Sequence, residues 1–349
     1  MQVWEFIVNI LPTVSTAISD FLSMFLPGWV VYLIMALLSS VMLLLFLVPS
    51  LLIVMYLERK LIGHFQARIG PMRTGPHGTL QPMADAVKIM MKEDIRPANA
   101  DKVPFYLAPV VVFAPAILAL AVLPFAPGAI FADLNIGILF IISITTLGIM
   151  GVLMAGWGSN NKYAMLGAMR AVAQMVSYEI PLVLSVIGVV MLVGSLSMVD
   201  IVEQQRIPFI ILQPIGFFIF FCASLAELNR SPFDIVEAES EIIAGYHTEY
   251  TGIKFGAFYL AEYTNAIISC AIIATVFLGG WKGPILPPYV WFALKIFVLF
   301  GVMVWIRGTL PRLRVDQLMG FAWKLLLPLA LVNILIAAAE TWVIGMIPG

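Results

Sequence analysis

The sequence is poor in charge. Asp, Glu, Lys and Arg make up only 11% of it, against about 25% in a typical soluble domain. With 62% hydrophobic residues and a mean hydropathy of +1.02, too little polar surface is left to coat a water-soluble globule. The same composition excludes a disordered chain, and a net charge of −1 excludes a basic nucleic-acid binder. Cysteine is nearly missing. Cys222 and Cys270 lie in apolar runs, with no CxxC and no Cys/His cluster, so no zinc, iron–sulfur or haem c site is legible. The pair reads as two small buried hydrophobes. A basic start is absent too. The first Lys or Arg is Arg59, and a cleavable signal peptide is not expected.

Long apolar runs are what the sequence has. About 20 apolar residues cross a bilayer core as a helix. Eight runs qualify: 29–57, 105–125, 136–156, 176–199, 208–226, 261–281, 289–306 and 318–345. The expected fold is an all-α integral membrane protein of eight transmembrane helices, with amphipathic helices in its loops. Residues 1–28 are apolar but broken by Glu5, Asn9, Pro12 and Asp20. They read as an interfacial N-terminal segment, and 29–349 as a single membrane domain. Eight spans put loops 58–104, 157–175, 227–260 and 307–317 on one side. Those loops hold fifteen of the 19 Lys and Arg residues, whereas the opposite loops hold Arg206 and Lys282. This bias marks the cytoplasmic side and leaves both termini periplasmic. Function is expected at the cytoplasmic face.

Within 58–104, Gly70-Pro71, Gly75-Pro76 and Gly78 predict a turn-rich stretch. Gly70 and Gly75 have phosphate-loop spacing, but Pro76 stands where that motif needs Lys and lacks the required N–H. Residues 80–94 are amphipathic at helical spacing, with Leu80, Met83, Ala84, Val87 and Met91 opposite Gln81, Asp85, Lys88 and Lys92. Two readings fit: a surface helix with an Asp85–Lys88 pair, or part of the mouth of a lipid-side cavity.

The loop 227–260 carries the densest signal. Ser231-Pro232-Phe233-Asp234 resembles a capping box with Pro at the first helical position, which predicts a helix over 232–243. A helical wheel puts Asp234, Glu237 and Glu241 on one stripe and Glu239 among Ile235, Ile242 and Ile243 on the apolar face. A carboxylate placed there either meets a base such as Arg230 or is desolvated. One reading is a solvated acidic face; the other is a relay that holds or passes protons. Glu179, Glu227, Glu262 and Lys295 fall in or at the ends of spans. A charge at mid-bilayer costs about 2.5–3.5 kcal/mol on insertion scales, so such groups should face protein or water. Glu179 and Lys295 are expected in a proton path or a buried pair. Glu340 and Lys324 lie near span ends.

The strings ERKLIGHFQARIGP, AMRAVAQMVSYEIPL, LAELNRSPFDIVEAESEIIAGYHTEYTG and LAEYTN resemble the family of the membrane H subunit of respiratory complex I, whose mitochondrial counterpart is NADH dehydrogenase subunit 1. The resemblance runs from about residue 30 to the C-terminus and points to a bacterial form. It implies an eight-span subunit of a proton-pumping NADH:quinone oxidoreductase in the bacterial inner membrane. That subunit docks the hydrophilic arm and forms the quinone access chamber. By this resemblance Arg59, Arg68 and Asp85 lie along the chamber. Glu227, Arg230, Asp234, Glu237, Glu239, Glu241 and Glu249 form an acidic loop beneath it, and Glu179 and Glu262 continue the path into the membrane. The substrate would be ubiquinone or menaquinone. NADH, FMN and the Fe–S clusters would belong to partner subunits, leaving this chain with no catalytic residue, metal or cofactor of its own. Partners would be the hydrophilic-arm subunits, small and antiporter-like membrane subunits, and lipids. Competing readings are the homologous anchor of a membrane-bound hydrogenase and a stand-alone ion transporter, although no inverted repeat is evident.

Overall fold

The computed structural model describes residues 16–236 and 244–346. The described residues are helical with connecting turns. Apolar runs in lipid must satisfy every backbone N–H and C=O within the segment, which the helix does. The helices are α1 (Gly28–Phe65), α2 (Gln81–Met91), α3 (Lys102–Ala121), α4 (Gly137–Gly158), α5 (Lys162–Val193), α6 (Met198–Gln204), α7 (Phe209–Leu212), α8 (Pro214–Glu227), α9 (Gly252–Phe277), α10 (Pro288–Thr309), α11 (Val315–Phe321) and α12 (Leu327–Met346). A π turn, Ala322–Leu326, joins α11 to α12. Residues 16–23 are also helical, and their apolar side chains Ile18 and Phe21 are exposed.

Seven of the described helices are long and apolar enough to span a bilayer: α1, α3, α4, α5, α9, α10 and the continuous run Val315–Trp342. The chain is a multi-pass membrane protein. The eighth expected run, 208–226, is broken. α7 and α8 are separated at Gln213, whose φ of −119° and ψ of 57° are not helical, and Pro214 then restarts the helix without needing an N–H partner. At about 1.5 Å per residue the 14 residues of α8 fall short of a full hydrocarbon core.

Three further expectations change. The fourth span was expected to begin at 176, but α5 begins at Lys162. Asn161 caps it by accepting the Tyr163 N–H at 2.9 Å, and a left-handed Gly194 ends it. The helix expected over 232–243 does not form in its described part, where 231–236 run as turns. The carbonyls of Pro232 and Phe233, which a helix would use internally, accept instead from Leu313 N at 3.0 Å and from Gln174 Nε2 at 2.8 Å. Phe233, Ile235 and Val236 are all buried. Finally, α2 docks on the chain through Asp85 and Ile89, while Lys88 and Lys92 of its polar stripe stay exposed. Leu80, Met83, Val87 and Met91 are exposed, whereas Asp85 bonds to α1 and Ile89 lies against Gly256 of α9.

The centre of the bundle is α9, with 78% of its most apolar window buried against 17% for α1. Lipid is as apolar as leucine, so helices here associate by close packing of small residues. A Cβ on Gly156 of α4 would lie 2.3 Å from Ala168 Cβ on α5. Gly245 has φ +61°, and a Cβ there would lie 2.2 Å from Val236 O. The two described ends of the acidic loop therefore meet over α5, where Gly167 faces Gly245.

Candidate functional site: a buried charge cluster

The site is built where α1, α9, α10 and the end of α8 converge. Glu58 on α1 is only 2% exposed. Arg230, two residues past the cap of α8, is 6% exposed because Asn229 adopts φ +52° and Arg230 N–H closes on Leu225 O at 3.1 Å. This turn aims the guanidinium inward. Its Nη1 donates to Glu58 at 2.5 Å, and its Nε lies 3.0 Å from Glu262 of α9. Arg307, at the end of α10, also donates to Glu58. Glu58, Glu262, Arg230 and Arg307 thus balance one another, and balance is what permits charges to sit this deep. Burial by itself would depress the Arg230 guanidinium, but Glu262 and Glu58 outweigh it and hold the group above the ordinary arginine range.

Two tyrosines extend the cluster along α9. Tyr263 lies beside Glu58, its ring lies 4.8 Å beneath the Arg230 guanidinium, and its hydroxyl meets that of Tyr259 at 3.2 Å. Arg59 lies beside Tyr259 and pairs with Asp85 of α2. Asp85 also accepts from Gln81 Nε2 at 3.0 Å. Polar groups therefore line up from α2, through Arg59, Tyr259, Tyr263, Glu58 and Arg230, to Glu262.

Beyond Glu262 lies a cavity of about 80 Å³, lined by Thr145, Glu227, Asn229, Tyr246, Glu262 and Asn265 among apolar residues. A water needs about 10–15 Å³ of such space and two to four polar partners, so several waters fit. Glu179 is near enough to Glu227 for their charges to interact, and Thr146 donates to Glu179. Pro181 leaves the Ser177 carbonyl, two residues before Glu179, without its helical donor. His247 borders this region. Burial holds its imidazole below the ordinary histidine value, against an opposing pull from Glu262.

A sequence profile of the family described as NADH dehydrogenase matches residues 38–338. The chain belongs to the NADH dehydrogenase family. Its relatives include the H subunit of the NADH-quinone oxidoreductase of Dehalococcoides mccartyi strain CBDB1, 59% identical over 295 residues, 84% of each chain. The H subunit of the Brevibacillus brevis NADH-quinone oxidoreductase is 54% identical over 290 residues, 81% of this chain and 86% of the relative. The H subunit designated 2 in Syntrophobacter fumaroxidans is 48% identical over 323 residues, 90% and 96%.

Within this NADH dehydrogenase family member, the structure brings together Arg59, Asp85, Glu179, Glu227, Arg230 and Glu262 of the residues singled out in the sequence. It places three others apart. Arg68 bonds Gln66 in an exposed turn. Asp234 meets Arg312 at 3.2 Å, and Glu249 accepts from Asn161 at 2.5 Å, at the start of α5. Glu237, Glu239 and Glu241 lie outside the described residues. Asp85 pairs with Arg59 rather than Lys88. Lys295 meets carbonyls rather than an acid: its Nζ donates to those of Leu278, Gly280 and Lys282 at 2.7, 2.8 and 2.7 Å, capping the end of α9. Glu58, Tyr259, Tyr263 and Arg307 were missed. Glu58 stood in an ERK triplet that reads as a snorkelling helix end, and only tertiary packing brings Arg307 and Tyr263 to it. Among the described residues, no group of three His, Cys, Asp or Glu side chains has metal-binding spacing.

Proposed function

We propose that this chain is the membrane subunit of an NADH:quinone oxidoreductase, that it lines the quinone access chamber, and that it couples quinone reduction to proton translocation through its buried carboxylates. The observation that carries the reading is the line of polar groups from Asp85 and Arg59 to Glu262 and the Glu227 cavity, inside an otherwise apolar bundle. The exposed apolar side of α2 beside the Arg59–Asp85 pair suits a lipid-soluble molecule with a polar head. Reduction of a quinone takes up two protons and changes local charge. Charges exchanged across low-dielectric distances respond strongly to such a change. Relatives carrying the word quinone in their names favour this reading over a hydrogenase anchor.

On this reading the electrons come from partner subunits that hold FMN and Fe–S clusters, and the last cluster meets ubiquinone or menaquinone near α2. Arg68 serves the chamber with Arg59 and Asp85, and Asp234, Glu237, Glu239, Glu241 and Glu249 serve proton coupling with Glu227 and Arg230; the partners are hydrophilic-arm subunits and small and antiporter-like membrane subunits. The basic loops face the cytoplasm and, with α7 and α8 together making the eighth crossing, both termini face the periplasm of an inner membrane. The test is Arg59→Met in the assembled complex. Quinone reduction should fall at least tenfold while electron transfer from NADH to a water-soluble acceptor, which bypasses the chamber, persists. Undiminished quinone reduction would overturn the assignment.

A further inference from the structure

The first turn of α9 breaks three local preferences, and each departure serves the linker that follows α2. Thr251 stands at the N-cap, where a hydroxyl ordinarily accepts from the free N–H groups of its own helix. It makes no such bond. Its Oγ1 accepts instead from Ile95 N at 3.0 Å and donates to Glu93 O at 3.2 Å. Gly252, the first residue of α9, has φ +58°, and a Cβ there would lie 2.9 Å from Lys92 O. The missing side chain lets the linker come that close. Lys254, two residues on, puts a cation at the positive end of the helix dipole, and it is only 8% exposed.

Neighbours offset that placement. The Lys254 Nζ lies 2.8 Å from Asp94 Oδ2 in the linker. It also sits 3.8 Å from the centre of the Tyr106 ring and 5.0 Å from that of Phe105, and aromatic faces attract a cation. Phe105 is itself fixed: it is fully buried and stacks on Tyr250 at 4.3 Å between ring centres. The ammonium therefore ties Asp94 to a rigid platform at the start of α3. The linker 92–95 has no helix or strand of its own, so its hold on α9 decides where the C-terminal end of α2 lies. The rest of α2 follows, with Ile89 Cγ2 2.9 Å from the Cβ position of Gly256 and Asp85 paired with Arg59.

We infer that Lys254 is a positioning residue: through Asp94, and with Thr251 and Gly252, it clamps the 92–95 linker to α9 and so fixes how α2 presents Asp85 to Arg59. It acts on that pair through the backbone of α2. The inference rests on the reading that the Arg59–Asp85 pair lines the quinone chamber, and it adds the device that sets the chamber's width.

The test uses the intact oxidoreductase in lipid nanodiscs, with NADH as donor and a short-chain ubiquinone as acceptor. Asp94→Asn removes the charge of the exposed partner, and Lys254→Met that of the buried one while keeping an apolar stem on the rings. Asp94→Glu keeps the pair. Hydrogen exchange read by mass spectrometry reports local opening. In both charge-removing variants the amides of 81–95 should exchange at least threefold faster than in the parent, while those of α3 and α9 keep the parent rate. The KM for the ubiquinone should rise at least threefold with kcat within twofold, the pattern of lost binding rather than lost chemistry. Asp94→Glu should stay within twofold of the parent in both readouts. Asp94→Asn carries the test where Lys254→Met fails to assemble, because Asp94 lies at the surface. Unchanged exchange over 81–95 would overturn the clamp and leave the chamber reading to the Arg59→Met test. Faster exchange spread evenly through α3 and α9 would make Lys254 a merely stabilising residue and overturn the positioning role. A loosened α2 with an unaltered KM would overturn that role and, with it, the chamber's place beside α2.

Discussion

At the scale of single residues, Glu58 is the hinge of the charge balance. It answers Arg230 and Arg307 at once, so Glu58→Gln leaves two guanidiniums with one carboxylate. Breaking a buried pair by removing one partner costs about 3–5 kcal/mol. The solubilised Glu58→Gln complex should unfold at clearly lower temperature, and adding Arg307→Met should recover part of the loss. A single variant as stable as the parent would contradict the balance. His247 makes a second residue-scale prediction. Its folded-state value lies below the ordinary one, so the unfolded chain takes up the proton first as pH falls. The stability is therefore present above about pH 6.5 and is lost on acidification toward the folded value. Thermal unfolding should come earlier at pH 5 than at pH 7, and His247→Gln should flatten part of that decline. Identical acid sensitivity in the two proteins would count against it. Neither role was legible beforehand. Glu58 reads locally as a helix end, and the burial of His247 depends on Tyr246, Phe255 and the α9 face it packs against.

At the scale of elements, the apolar runs were legible because lipid imposes length and polarity on each helix separately. The failures came where neighbours outbid local preference. Ser231-Pro232-x-Asp234 carries helix-start chemistry, yet Gln174 and Leu313 capture the carbonyls that a helix would have used. The periodicity of α2 showed an amphipathic helix, but periodicity cannot say which face meets the chain when lipid is also a solvent for the apolar one. Gly245 tests the loop closure directly. Gly245→Ala combines a positive φ with a Cβ 2.2 Å from Val236 O; the backbone strain alone costs about 1–3 kcal/mol. The variant should assemble less and unfold at lower temperature. Normal assembly with unchanged thermal stability would show that the close approach is dispensable.

At the scale of the whole molecule, a bundle whose most buried helix carries Tyr259, Glu262 and Tyr263 places its ionisable groups along one internal line. The individual acids Glu179, Glu227 and Glu262 stood out in the sequence because charge is costly in a bilayer. Their connection to Arg59 and Asp85 did not, since it runs past Tyr259 and Tyr263, whose sequence context is that of ordinary core aromatics. The account rests on that line carrying the response to quinone chemistry to Glu227 and Glu179. The direct measurement is the number of protons translocated per quinone reduced by the Glu227→Gln complex in sealed vesicles. The account predicts an assembled enzyme that pumps at most half as many protons per quinone as the parent. Full pumping per quinone at the parent rate would contradict it.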